Sequence, residues 1–335
     1  MAFGTTAFRR ILVGAAAATL LAHAGASAAE TLRLAHAVPM GHIYQHLATA
    51  LAQKVADGTK GQYEVRIFPN GQLGQESALA DSLRSGNIDI AFFSSNSATV
   101  FVKQLGVFSL PYLFNDAAHL SRVLNDPGFI GMVDAHIANA KPGYRRIAML
   151  TSGVRNLYAN TKVLATPDDL RSTKIRVQPS PVEARVWSTL GALPVSIPLG
   201  DVYTSMQTGL IQAYEGPIGT FYSGKMYEVA PNVALTEHQW SVNFMFISER
   251  TWAKLPENVR KIIQDAGAEF DEMAASMAAA NDAKQLDELK SKYGVKVGPA
   301  DKAAFAKLVA SMIDENATSI GATDLLKAIR AAGTR

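Results

Sequence analysis

Arg176, Arg155 and Glu215 are the side chains whose type and setting fit chemistry with an anion. Arg176 stands in Thr173-Lys174-Ile175-Arg176-Val177-Gln178-Pro179-Ser180, a short strand pattern that stops at a proline turn. Alternation sends Ile175 and Val177 to one face and Lys174, Arg176 and Gln178 to the other. A guanidinium on a stiff strand is a planar fork that grips a carboxylate through two parallel hydrogen bonds. Arg155 leaves the Ser152-Gly153 turn, so two arginines from adjoining strands could converge at strand ends, where α/β folds hold ligands. Tyr214 and Glu215 precede the turn at Gly216-Pro217 and offer a ring for stacking and an acceptor for a hydroxyl. Taken singly, each is more often a solvated or packing residue.

Other chemistries lack their signatures. There is no Gly-x-Ser-x-Gly elbow, Gly-x-Gly-x-x-Gly loop, Walker loop or His-Glu-x-x-His pair, and no cysteine for thiol catalysis, disulfides or thiolate metal sites. Gly71-Gln72-Leu73-Gly74 lacks the lysine and hydroxyl of a phosphate loop and reads as a turn that starts a helix. His42 and His46 are four apart on a predicted helix, a spacing that can serve one metal. No third ligand stands at a recognisable spacing, so two partly exposed helix histidines are the simpler reading, with His42 free to face a cleft. Neither a metal nor another cofactor is expected.

The elements that must position these groups alternate. Strands near 31–37, 62–68 and 88–93 with helices near 41–57 and 75–85 make a βαβαβ lobe. Strands near 145–150, 155–160, 174–177, 193–197 and 210–214, with helices near 181–190 and 200–208, make a second. The fold class is α/β with largely parallel sheets in two lobes around a cleft. The chain is expected to pass between lobes near Ser152-Gly153 and near Glu237 to Asn243. From Pro256 to about Lys290 the pattern is one long helix, enough to run along both lobes, followed by a helical tail over 300–333.

Residues 1–28 read as an export signal: Arg9 and Arg10, an apolar run from Ile11 to Ala22, and small residues at Ala26-Ser27-Ala28. The run is too short to span a bilayer. Phe8-Arg9-Arg10-Ile11-Leu12 also resembles a twin-arginine signal, with general secretion the default. Without Arg9 and Arg10, 32 minus 2 leaves 30 basic against 29 acidic residues. That near-neutral balance is unlike a nucleic-acid binder, and no basic run marks a membrane-surface patch.

The order of several segments resembles the solute-binding proteins of tripartite ATP-independent periplasmic (TRAP) transporters, the DctP-type family. These are Phe68-Pro69-Asn70-Gly71-Gln72-Leu73-Gly74, Leu110-Pro111-Tyr112-Leu113-Phe114, Gly153-Val154-Arg155-Asn156, Thr166-Pro167-Asp168-Asp169-Leu170 and Lys174-Ile175-Arg176-Val177. Tyr227-Glu228-Val229-Ala230, Thr236-Glu237-His238 and Thr251-Trp252-Ala253-Lys254-Leu255-Pro256 continue the series, which covers essentially the whole mature chain.

The resemblance implies a periplasmic protein that binds a small organic acid and presents it to membrane permease subunits. It implies lobe I from 30–153 plus about 242–280 and lobe II from 154–241 plus about 281–333. It implies that Arg176 binds the ligand carboxylate and that Arg155 adds charge or a hydroxyl contact. Glu215, Gln178 and Asn96 are expected to set specificity, with Tyr214, His42, His238 and Trp240 as further cleft candidates. The family's Asp-Gly-x-Glu-Asn motif falls on Gln212 to Gly216, so its glutamate is kept as Glu215 and its asparagine becomes glycine. Leu199 stands where an aromatic is common. Two alternatives stay open: an exported α/β enzyme using Glu215 or a histidine as general base, and a metal bridging ligand and protein.

Overall fold

Two strands far longer than the rest organise the chain, which a computed structural model describes from residue 29 to residue 333. The export signal expected over 1–28 lies outside the described residues. The chain opens with β1 (Glu30–Ala35), α1 (Ile43–Gly58), β2 (Tyr63–Phe68), α2 (Glu76–Ser85) and β3 (Ile90–Ser94). Then come α3 (Ser95–Ala98), α4 (Ala117–Leu124), α5 (Pro127–Ala140) and the first long strand, β4 (Tyr144–Ala159). The second half brings β5 (Lys174–Val177), α6 (Pro181–Thr189), β6 (Leu193–Ser196), α7 (Val202–Gln207), β7 (Ala213–Pro217) and α8 (Ile218–Ser223). The second long strand, β8 (Asn232–Ser248), leads to α9 (Glu249–Lys254), α10 (Glu257–Ser291), β9 (Lys296–Pro299), α11 (Lys302–Ser319) and α12 (Thr323–Ala332).

All strands join one sheet in the order β2-β1-β3-β8-β4-β7-β5-β6, with β9 beside β8. Pairing is parallel within β2-β1-β3 and β7-β5-β6. It is antiparallel wherever β4 or β8 meets β3, β7 or each other. The sheet is therefore mixed rather than largely parallel, because β4 and β8 each run through both halves. The strands expected at 145–150 and 155–160 are one strand. A register shift between Thr151 and Val154 marks the join, where Gly153 takes φ 98°.

Four apolar clusters cover the two faces of the two halves. In α1 the stripe Ile43, Leu47, Leu51 and Val55 packs at helical spacing into the first half. Its start is capped by His42, whose ring accepts from the Tyr44 N–H. The expected long helix is α10, 35 residues or about 52 Å at 1.5 Å per residue. Its first turns bury Val259, Ile263 and Phe270 in one half, and its last bury Leu289 in the other. Gly267 lets it approach β4, since a Cβ there would fall 2.5 Å from the Ile147 carbonyl oxygen.

Three placements differ from expectation. The strand expected at 210–214 starts at Ala213, because Leu210 sits exposed in the preceding turn. The region from 95 to 143, for which no elements were expected, holds three α-helices and a 3-10 helix, Lys103–Ser109. Helix α12 packs on α4 and α5 beside the first half, not on the second half to which 281–333 is assigned from sequence.

Candidate functional site

A cleft lies between the halves, beside the points where β4 and β8 cross. Its first-half wall carries His42, Tyr44, Gln75, Glu76 and Ser94, and its second-half wall carries Arg155, Arg176, Gln178, Tyr214 and Glu215. The open volume is about 70 Å3, room for about five water molecules.

Arg176 is held by β5 between β7 and β6 and is only 3% exposed. Its Nε donates to the Ile197 carbonyl at 2.7 Å. Among the described residues its two terminal nitrogens have no hydrogen-bond partner, and no carboxylate lies within 4 Å of it. Burial lowers its pKa, against the attraction of Glu183 and Glu215. A buried, largely unspent guanidinium on a cleft wall is an anion site by construction.

Arg155 differs. Its Nε and Nη2 donate to the two oxygens of Glu215, each at 2.5 Å, and Nη1 donates to Ser241 Oγ at 3.3 Å. Burial disfavours ionisation of both partners. Their mutual attraction overcomes it, raising the arginine pKa and holding the Glu215 carboxyl well below its ordinary value. The pair is thus committed internally. Both groups nevertheless line the cleft, where Arg155 already meets one hydroxyl, that of Ser241.

The remaining candidates divide into wall and support. Gln178 lines the cleft, donating from Nε2 to Ser94 Oγ at 2.7 Å and accepting at Oε1 from Asn96 Nδ2 at 2.9 Å. Asn96 is one contact behind the wall, fixed by donation to its Oδ1 from Ser109 and Gln239. Tyr214 lines the cleft with a buried hydroxyl that has no partner among the described residues, and its ring stacks 4.9 Å from Tyr158. His42 lines it too. Burial, helped by His36 and His46, drops its pKa to about 3. Because Nδ1 accepts from Tyr44 N–H, the neutral ring carries its hydrogen on Nε2. His46 is exposed, so the two histidines do not converge on one metal.

His238 and Trp240 are not on this wall. His238 backs Glu215, with Nε2 at 3.3 Å from Oε2 and Nδ1 at 2.8 Å from Thr236 Oγ. Trp240 lines a separate cavity of about 480 Å3 with Val154, Asp271 and Asp282. Alternation along β8 turns it away from Ser241 and Asn243, which do face the cleft.

Residues that no sequence expectation named complete the wall. Gln75 and Glu76 follow the turn Asn70 to Gly74, whose positive φ at Asn70, Gly71 and Gly74 aims the start of α2 at the cleft. Glu76 accepts from the Ser94 N–H and Oγ, and burial raises its pKa against those bonds. Asn243 accepts from Tyr44 Oη at 2.7 Å and donates to Ser152 Oγ at 3.0 Å. A usable signal was present: Ser241 and Asn243 are the polar residues in the otherwise apolar run from Trp240 to Ile247. At Gly216, also on the wall, a Cβ would meet no atom within 4 Å, so the missing asparagine leaves open space.

Comparisons with known proteins agree with this architecture. The profile of DctP, bacterial extracellular solute-binding protein family 7, matches residues 34–319. A solute-binding protein of Roseobacter denitrificans is 31% identical over 296 residues, 87% of this chain and 90% of that protein. Its crystal structure with bound L-galactonate superposes at TM-score 0.83 with 27% identity, covering 90% of this chain and 98% of that one. A solute-binding protein of Sulfitobacter sp. is 29% identical over 96% of this chain and 97% of its own length. A TRAP periplasmic solute-binding protein from Sulfurospirillum deleyianum with bound succinate gives TM-score 0.84 and 27% identity, covering 91% and 99%.

Proposed function

This chain belongs to family 7 of the bacterial extracellular solute-binding proteins, and from that premise we propose that it is a periplasmic receptor for one small organic acid. The acid's carboxylate sits on Arg176, and the closed complex is delivered to the membrane permease subunits of a TRAP transporter. The observation that carries the reading is the buried guanidinium of Arg176, with two nitrogens unspent on a cleft wall. Residues 1–28 serve as the export signal.

A polyhydroxy monocarboxylate fits better than a dicarboxylate. Arg155 is neutralised by Glu215, so among the described residues the cleft offers one unspent cation. Around it stand neutral donors and acceptors suited to hydroxyls, among them Ser94, Ser152, Ser241, Asn243 and Tyr214. The space at Gly216 suits the substituted end of such a ligand. Gln178 contacts it directly, while Asn96 and His238 act by fixing Gln178 and Glu215.

Binding without turnover follows from the same charges. Glu215, the candidate base, has both oxygens on Arg155 and a depressed pKa, which makes it a poor proton acceptor. The two sheet halves act as lobes, 30–153 with about 242–280 and 154–241 with about 281–319, hinged where β4 and β8 cross. A thermal-shift screen of sugar acids, hydroxy acids and dicarboxylates tests the reading. At one hundred times its dissociation constant a ligand stabilises by about 2.7 kcal/mol. A screen in which aldonates and uronates leave Tm unmoved while dicarboxylates raise it would reverse the ranking, and no shift with any acid would end the proposal.

A further inference from the structure

Glu183 is a buried carboxyl that the binding scheme above does not use. It sits in the first turn of α6, 2% exposed. Oε2 accepts from the Gln178 N–H at 3.0 Å, whereas Oε1 has no donor among the described residues. Gln178, which it holds, stands just past β5, two residues after Arg176, and Arg176 stands across from Tyr214 on β7; the carboxyl is thereby brought beside the next β7 residue, Glu215, whose oxygens are already taken by Arg155. Two ionised carboxylates present only lone pairs and repel. They can meet inside a protein only through a proton. Glu215 has a bidentate guanidinium and Glu183 has a single backbone N–H, so the proton belongs on Glu183.

We propose that Glu183 is a positioning residue held as the neutral acid, donating from Oε1 to Glu215, and that its neutrality leaves the charge of Arg176 free for the ligand. Ionised, it would become an internal counter-ion of Arg176 and compete with the acid for the same guanidinium. The charged and titratable groups facing it are Glu215 from β7, Arg155 from β4 and Arg176 from β5. Behind these, His238 on β8 faces Glu215, and Glu76 on α2 faces Arg176. On the outer side, Glu315 of α11 is paired with Arg185. Burial, then Glu215, shifts the Glu183 carboxyl well above the ordinary glutamate range, against Arg155 and Arg176, which agrees with the geometry.

The ligand half of this inference rests on the receptor reading; the proton half does not. Infrared difference spectra between wild type and Glu183→Gln at neutral pH should show the carbonyl stretch of a protonated carboxylic acid in wild type, lost in the variant. Calorimetry with D-galactonate, D-glucuronate and succinate should show Glu183→Gln within about threefold of wild type at neutral pH for whichever acid binds. Above the Glu183 transition, wild-type affinity should fall by up to about tenfold per pH unit, while the variant stays flat. Absence of the carbonyl band, a folded variant that loses binding, or identical pH profiles would overturn the proposal. If the variant does not fold, a flat wild-type profile overturns it by itself and a falling one supports it. A band with no binding of any acid supports the proton and overturns the receptor reading.

Discussion

Arg176 and Arg155 show how little residue type says about availability. Both are buried arginines on strands lining one cleft, yet one spends its fork on Glu215 and the other keeps two nitrogens unspent. The difference lies in register. β4 and β7 pair with Leu157 opposite Glu215, which puts Arg155 and Glu215 on adjoining strands within reach of each other. The neighbours of Arg176 in register are Val195 on β6 and Tyr214 on β7, neither an acid. Replacing Arg176 with lysine keeps the charge but loses the planar fork. Calorimetric affinity for the bound acid should then fall by about 2–5 kcal/mol, and an unchanged dissociation constant would remove Arg176 from its role. The strand pattern made Arg176 a candidate from sequence. Its freedom was not readable, because that depends on which residues β6 and β7 bring beside it.

The decisive elements are β4 and β8, with α10 laid along them. Gly153 marks the irregular point of β4, and a Cβ there would fall 2.6 Å from Asp282 Oδ2 on α10. The Asp282 carboxylate thus lies against the backbone of Gly153, and the helix meets β4 at the crossing point. Burial lifts its pKa from 3.8 to about 7. A folded state that holds this proton more tightly than the unfolded chain is favoured at low pH. Stability from this group is full below its unfolded value and is lost as pH rises through about 7. Asp282→Asn keeps the size and shape of the side chain and removes the titration. Thermal unfolding should therefore show the variant gaining on wild type as pH rises across that window, and parallel Tm curves would reject the assignment. The turn residues Ser152-Gly153 were legible as a crossing point. The acid above them, from more than a hundred residues away in sequence, was not.

At the scale of the whole molecule, the cleft is closed by bonds that cross it. Gln75 Oε1 accepts from the Gly200 N–H at 3.2 Å, and Gln178 donates to Ser94 at 2.7 Å. A Cβ at Gly200 would lie 2.7 Å from Gln75 Nε2 and would push that side chain aside. Contacts made only in the closed arrangement contribute to affinity by favouring that state. Gln75→Ala removes one such bond without touching Arg176, so affinity should weaken by about 0.5–1.5 kcal/mol. Small-angle scattering of the variant without ligand should show a more open average shape. Wild-type affinity and shape in the variant would mean that Gln75 does not hold the halves together.

Alternation along the chain determined that α/β halves would form, that one helix would be long enough to serve both, and that Arg176 would sit on a strand. These follow from local periodicity, which needs only neighbours in sequence. Tertiary structure decided which charges remain free. The pairing of Arg155 with Glu215, the placing of Glu183 against that pair and the turning of Trp240 away from the cleft each depend on strand register and helix packing between distant segments. Charge is written in the residue. Whether it is available depends on the partners that folding brings within a few ångströms, where burial makes each pairing strong and each vacancy selective.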